Sequence, residues 1–427
     1  MLERSFKLAN NRFPPLLFIV SLSLHTMAAL NCDSMVAQVS PVKTPVTLIT
    51  FDVDGTLVKG SYRKGLEVTA HSRAFVHAVG KIFAGDGGEE FEGQYSTPED
   101  LIPKERYHGC TDGLISLNMV KYGFDIPSSV SAPRLPEIFQ TMYDYIANLS
   151  DEEVVRGIHP LPGVIDKLTT LATWNDLSGQ YQNNEEVHNG CKGKVMCGLV
   201  TGNVEGIARK KMRACGIYQT GVLHPRAPDQ MWRGEDEHAF LGGFGSDYCS
   251  GDIDDLSRLY KDRGEQIAIA YRRALSVLPE GCSIVRVVHV GDAPSDILAA
   301  KYCYEAQLLR PVSNVTPSSS SSSSSGTTTT AASSDSSGKT PAGTAPAFGG
   351  TTSTTSTTGT TGTAISAGSL AIPVVGCVGV ATGKYSADTL AALVEGTAVT
   401  GAWEPVVLAD GIADPGFIDA CGIATTM

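Results

Sequence analysis

Two aspartates, Asp52 and Asp54, end the apolar part of TLITFDVDGTLVKG (47–60) and are followed at once by Gly55 and Thr56. Alternation along a strand turns both carboxylates to one side, where they repel each other unless a cation or a shared proton offsets them. Solvated acids beside a glycine turn are the plain alternative. A second acidic pair, Asp292 and Asp296, lies in HVGDAPSDILAA. Carboxylates one helical turn apart at a strand-to-helix turn can hold or orient a hard divalent cation, which prefers oxygen ligands. Asp296 also reads as an ordinary helix-start acid. In LVTGNVEGIARKKMRACGI, Thr201, Gly202 and Asn203 open a helix. A hydroxyl and free backbone N–H groups there form an anion site. Projected at roughly 100° per residue, Val204, Ile207, Ala208 and Cys215 make the apolar stripe; Arg209, Lys210 and Arg213 lie off it, and Lys211 falls within it. An inward lysine is costly without an anion, so Lys211 is the expected phosphate-binding cation, against a lysine snorkelling from the helix edge.

These groups need elements to bring them together. The run VTLITFDV, with its β-branched residues, reads as a strand buried on both faces, the usual state of a central parallel strand. Four further runs read likewise: KVMCGLV (194–200), IVRVVHV (284–290), IPVVGCVGVA (372–381) and PVVLAD (405–410). Helical patterns alternate with them, which predicts an α/β fold, a Rossmann-like parallel sheet with right-handed crossovers. Such sheets bind ligands at the C-terminal ends of their strands. The interval after the first strand carries only helical patterns and reads as an inserted helical domain. The chain has 427 residues and a net charge of −12, which offers no basic surface for nucleic acid or anionic membrane. Ten cysteines without a C-x-x-C pair point to buried reduced thiols rather than a disulfide framework.

Taken together, the segments DVDGT (52–56), Thr201-Gly202-Asn203, Lys211 and Gly291-Asp292 with Asp296 resemble the four motifs of the haloacid dehalogenase-like superfamily, in order and spacing. The helical insertion resembles that superfamily's helical cap, near its phosphoglycolate phosphatase-like branch. Within it, HGCTDGLI is similar to a Gly-x-Thr-Asp segment of that branch, which marks Thr111 and Asp112 as cap residues facing substrate; a helix N-cap at Thr111 is the simpler reading. The resemblance implies a Mg²⁺-dependent phosphohydrolase acting on a small phosphorylated metabolite, phosphoglycolate first and a sugar phosphate second. Asp52 is then the nucleophile, Asp54 the acid/base, and Thr201, Gly202, Asn203 and Lys211 the phosphate site. The metal falls to Asp52, the backbone carbonyl of Asp54 and Asp292, with Asp296 as a further ligand or as a group that orients them. A phosphomutase shares these motifs, and a non-catalytic binding protein with a decayed fold is the reading from another class.

The expected organisation is a presequence or disordered N-terminus at 1–44, a core at 45–63 and 156–427, and a helical cap at 64–155. The leader, basic at Arg4, Lys7 and Arg12 and then apolar, points to an organelle or to secretory entry, with the cytoplasm as the alternative and no stable membrane association once it is removed. Residues 313–370, almost wholly Ser, Thr, Gly and Ala, read as a disordered insert within the core. Replacing them with a short Gly-Ser link should leave kcat/KM within a few-fold; a collapse in a variant folded by circular dichroism would count against this. The oligomeric state is not legible.

Overall fold

The computed structural model describes residues 43–60, 68–174, 194–225, 240–310, 372–395 and 402–423. The leader, the polar stretch 178–193 and the insert 313–370 lie outside the described residues. The fold is α/β, and its sheet uses the five apolar runs expected to be buried. Strands β1 (Thr44–Phe51), β4 (Lys194–Thr201), β5 (Gly242–Phe244), β6 (Cys282–Gly291), β7 (Val374–Val380) and β8 (Trp403–Leu408) form one sheet in the order β5-β4-β1-β6-β7-β8. Every neighbouring pair is parallel. A small antiparallel pair, β2 (Val58–Gly60) with β3 (Ile158–Pro160), brackets the helical insertion.

Alternation along β1 fills two apolar layers. Ile49 and Phe51 join Leu168, Ala208, Met212 and Phe417 on one face. These come from α7 (Val164–Ala172), α8 (Glu205–Ala214) and α12 (Phe417–Ala420). Val46 and Leu48 join Ile267, Ala270, Ile297, Ala300 and Leu390 on the other. Those belong to α9 (Arg258–Val277), α10 (Pro294–Glu305) and α11 (Ala387–Val394). The chain leaves central β1 for β4 and β5 on one side and returns to β6 on the other. That reversal of direction opens a crevice at the strands' C-terminal ends, where β1, β4 and β6 stop side by side.

Between β2 and β3 run α1 (Ala70–Val79), α2 (Gly88–Gln94), α3 (Asp112–Phe124), α4 (Ser128–Ser131), α5 (Leu135–Ala147) and α6 (Asp151–Val154). They bury Phe75, Leu117, Met119, Ile138 and Met142 together with Val204 and Ile207 at the start of α8. Covered by the sheet on one side and these helices on another, α8 also buries Arg209 to 4% exposure, although that residue lies off the helix's apolar stripe.

Strand β5 is not legible in the sequence, because Gly242-Gly243-Phe244 lacks the β-branched residues that mark a strand. Its glycines answer to packing: a Cβ at Gly243 would lie 2.0 Å from the Gln266 carbonyl oxygen of α9, and one at Gly242 2.3 Å from that of Leu199. Among the described residues, eight cysteines are free. Burial pushes the Cys110 thiol up to about 12 and those of Cys197 and Cys377 well above their ordinary value. No described helix is long and apolar enough to cross a membrane.

Candidate active site

Each acidic or polar group follows directly from the end of a parallel strand. Asp52 comes after β1, Thr201 closes β4, and Asp292 comes after β6 and before α10. Beyond Asp52 the chain doubles back, with Gly55 N–H donating to the Val58 carbonyl at 2.7 Å. Gly55 holds φ +91°, and a Cβ there would lie 2.3 Å from Asp292 Oδ2. Thr56 donates from Oγ1 to Asp292 Oδ1 at 3.3 Å. The Gly-Thr after the two acids therefore makes room for a third acid and binds it.

Oxygens of Asp52, Asp292 and Asp296 lie within 4.8 Å of one another, and all three residues are buried. Among the described residues, the arginine that faces them is Arg263 of α9, 3% exposed, whose Nη1 stands 2.9 Å from Asp52 Oδ1 and 2.7 Å from Asp296 Oδ1. Burial pushes Asp52 up; Arg263 opposes this while Asp296 and Asp54 reinforce it, and the group titrates at about 7. Burial, then the charges of Asp296 and Asp52, raise Asp292 well above the usual carboxylate range. Asp296 feels burial first too, but Arg263 and His289 outweigh it and hold the carboxyl low. The backbone N–H of Ala293 also donates to Asp296 Oδ2 at 3.0 Å. One guanidinium is too little positive charge for three adjacent buried carboxylates. Their all-oxygen donor set suits a hard divalent cation, and two glycines, Gly55 and Gly383, let the backbone close in on Asp292. A Cβ at Gly383 would lie only 1.6 Å from Asp292 Oδ2.

Asp54 leads a separate life. Its side chain is 46% exposed and receives both Lys211 Nζ, at 2.9 and 2.7 Å, and Asn203 Nδ2, at 2.9 Å. The protein wall around it pushes its pKa up, but the Lys211 ammonium first, and the hydrogen bonds from Lys211 and Asn203, hold it below the usual carboxylate range. Lys211, itself 2% exposed, also donates to Asn203 Oδ1 at 2.8 Å and meets His71 Nδ1 at 3.0 Å. An ammonium only donates, so His71 presents its Nδ1 lone pair and carries its proton on Nε2. That Nε2 lies 3.0 Å from Asp112 Oδ2, which also accepts from the Val204 N–H at 2.8 Å. The Asp112 N–H donates to the Gly202 carbonyl at 2.8 Å. Asp112 of α3 and His71 of α1 thus connect the helical insertion to the loop after β4 and, through Lys211, to Asp54.

The chain matches no protein-family model and no curated protein. Its site rests on its own geometry.

The structure brings all ten residues singled out in the sequence to the C-terminal edge of the sheet, in two groups. Asp52, Asp292 and Asp296 gather around Arg263, whereas Asp54, Asn203, Lys211 and Asp112 gather around His71. Thr201, 1% exposed, accepts the Asn203 N–H at 3.3 Å, and Gly202 lies so close to the insertion that a Cβ would be 2.8 Å from the Cys110 carbonyl oxygen. Thr111 caps α3 by accepting the Leu114 N–H, as its simpler reading has it. Lys211 commits its protons to Asp54, Asn203 and His71, which sets it on the acid/base candidate and not on the nucleophile candidate.

Arg263 and His71 were not singled out in the sequence. The projection that placed Lys211 inside α8 would have found Arg263, which stands four residues from both Leu259 and Ile267 on the buried side of α9. Arg263→Met removes the guanidinium from two buried carboxylates. It is expected to cost about 3–5 kcal/mol of stability by urea unfolding at neutral pH. A loss below about 1 kcal/mol would mean that the pairs are dispensable.

Proposed function

We propose that this protein is a divalent-cation-dependent phosphomonoester hydrolase of the haloacid dehalogenase-like type, Mg²⁺ being the expected ion, acting on a small phosphorylated metabolite. The observation that carries the proposal is the convergence of Asp52, Asp292 and Asp296 within 4.8 Å at the crevice. Asp54 stands two residues beyond, paired with a lysine. Nucleophile and acid/base then come from one strand end.

Asp52 would attack phosphorus through a carboxylate oxygen, forming an O–P bond as the ester P–O bond breaks, while Asp54 delivers a proton to the departing alcohol oxygen. Arg263 restrains Asp52 at Oδ1. In the second step Asp54 takes a proton from water, whose oxygen attacks phosphorus and releases Asp52 and inorganic phosphate. The lowered pKa of Asp54 favours this second task. The first needs Asp54 protonated before the attack, while a held cation would keep Asp52 ionised as the nucleophile. A divalent cation held by Asp52, Asp292 and Asp296 with the Asp54 carbonyl would offset the charge that otherwise keeps a carboxylate from an anionic ester.

The test is phosphate release from a panel of phosphomonoesters. Release should require Mg²⁺, stop in EDTA and return when Mg²⁺ is restored. No release from any ester in Mg²⁺ would remove the hydrolase reading, and conversion of the ester without free phosphate would replace it with a mutase.

A further inference from the structure

A cavity of about 410 Å³ lies against the turn that carries two residues of the carboxylate cluster. Ala293, Pro294 and Ser295 line it, and they lie between Asp292 and Asp296 on the same turn. Tyr385 lines it too, two residues beyond Gly383, which packs against Asp292 Oδ2. Segment 104–109 of the helical insertion covers the turn so closely that a Cβ at Gly109 would lie 2.6 Å from Ser295 Oγ.

We propose that this cavity receives the alcohol half of the substrate, and that the substrate is a phosphomonoester whose alcohol carries an apolar body and a remote carboxylate. The proposal rests on the phosphohydrolase reading and names the substrate class for that site. Size is the first argument. A two-carbon acid such as glycolate displaces a few waters of roughly 30 Å³ each, which leaves most of the cavity unfilled. A volume near 400 Å³ is instead typical of sites for larger organic ligands.

The lining supplies the second. Leu256, Leu259 and Leu298 present aliphatic surface, and Leu256 is 52% exposed. Lys104, His108, Ser257, Tyr260, Ser295 and Tyr385 place cationic and polar groups among them. Lys104 lines the cavity from the insertion and forms no ion pair among the described residues, in a chain of net charge −12. His108 lines it as well. Ser295 is 8% exposed, and its hydroxyl has no hydrogen-bond partner among the described residues. A buried hydroxyl left unpaired needs an explanation, and a ligand oxygen provides one. Aliphatic walls with one unpaired ammonium and one unpaired hydroxyl fit an apolar alcohol that ends in a carboxylate.

The probe is 4-(hydroxymethyl)benzoate, titrated calorimetrically into the full-length protein in Mg²⁺, with benzyl alcohol as the uncharged comparison. Wild type should bind the benzoate. Lys104→Glu should weaken it tenfold or more while leaving benzyl alcohol unchanged. Leu298→Trp, which fills a partly exposed part of the wall, should weaken both. The kcat/KM for the phosphate ester of the benzoate should fall tenfold or more in each variant. No heat of binding to wild type, or equal binding by wild type and both variants, would overturn the proposal. Binding that responds to both variants without any phosphate released from the ester would overturn the hydrolase reading instead and leave the cavity as a ligand site.

Discussion

Asp52→Asn should release no phosphate from any monoester and take up no covalent phosphate. The expected loss in kcat is roughly 10⁴-fold or more, the scale seen when a covalent nucleophile is removed. The change is nearly isosteric, and the carbonyl oxygen of the new amide can still accept from Arg263, so the variant should fold. An amide oxygen has too little nucleophilicity to displace an alkoxide, and Asp52 is the carboxylate of the cluster that directly follows central β1. Asp292 is bound by Thr56, and Asp296 is engaged by Arg263 and the Ala293 N–H. Rapid-quench labelling together with circular dichroism checks this. Undiminished labelling in a folded variant would refute the assignment.

Asp54→Asn should separate substrates by leaving group. An alkyl phosphate, whose alkoxide needs a proton to depart, should slow by roughly 10²–10⁴-fold. p-Nitrophenyl phosphate, whose phenolate leaves unaided, should still phosphorylate Asp52 at close to the wild-type rate. Water attack on the phospho-enzyme then lacks its base. The result should be a burst of nitrophenolate followed by slow turnover. Lys211 would lose its carboxylate in this variant but keep Asn203 and His71 as acceptors, so the local frame should survive. Equal slowing of both substrates in a single turnover, with Mg²⁺ affinity unchanged, would mean that Asp54 is not the general acid.

Much of this arrangement can be read from the sequence because buried strands have a strong local signature. The largely apolar runs at 46–53, 194–200 and 284–290 leave few other places for their side chains, and the polar groups at their ends must then meet at one sheet edge. Lys211 stands out for the same reason, as a charge inside an apolar stripe. What could not be read is which oppositely charged groups meet. Arg263 lies in a helix that also carries Arg258, Lys261, Arg272 and Arg273, and its contact with Asp52 spans the sheet rather than the sequence. His71 meets Lys211 only because the helical insertion folds back over α8. Gly242, Gly243 and Gly383 are glycine because of atoms that approach from distant segments, so β5 and the close approach at Asp292 leave no local trace. Strand propensity is local, whereas these close approaches are properties of the packed chain.

The central claim, that Asp52 carries the phosphoryl group between two chemical steps, is tested most directly by trapping it. Asp54→Asn mixed with p-nitrophenyl phosphate and Mg²⁺, quenched in acid during the burst and digested, should yield one phosphorylated peptide by mass spectrometry, with the added phosphoryl on Asp52. A full burst of nitrophenolate with no protein-bound phosphate, or with the phosphoryl on any other residue, would contradict the account.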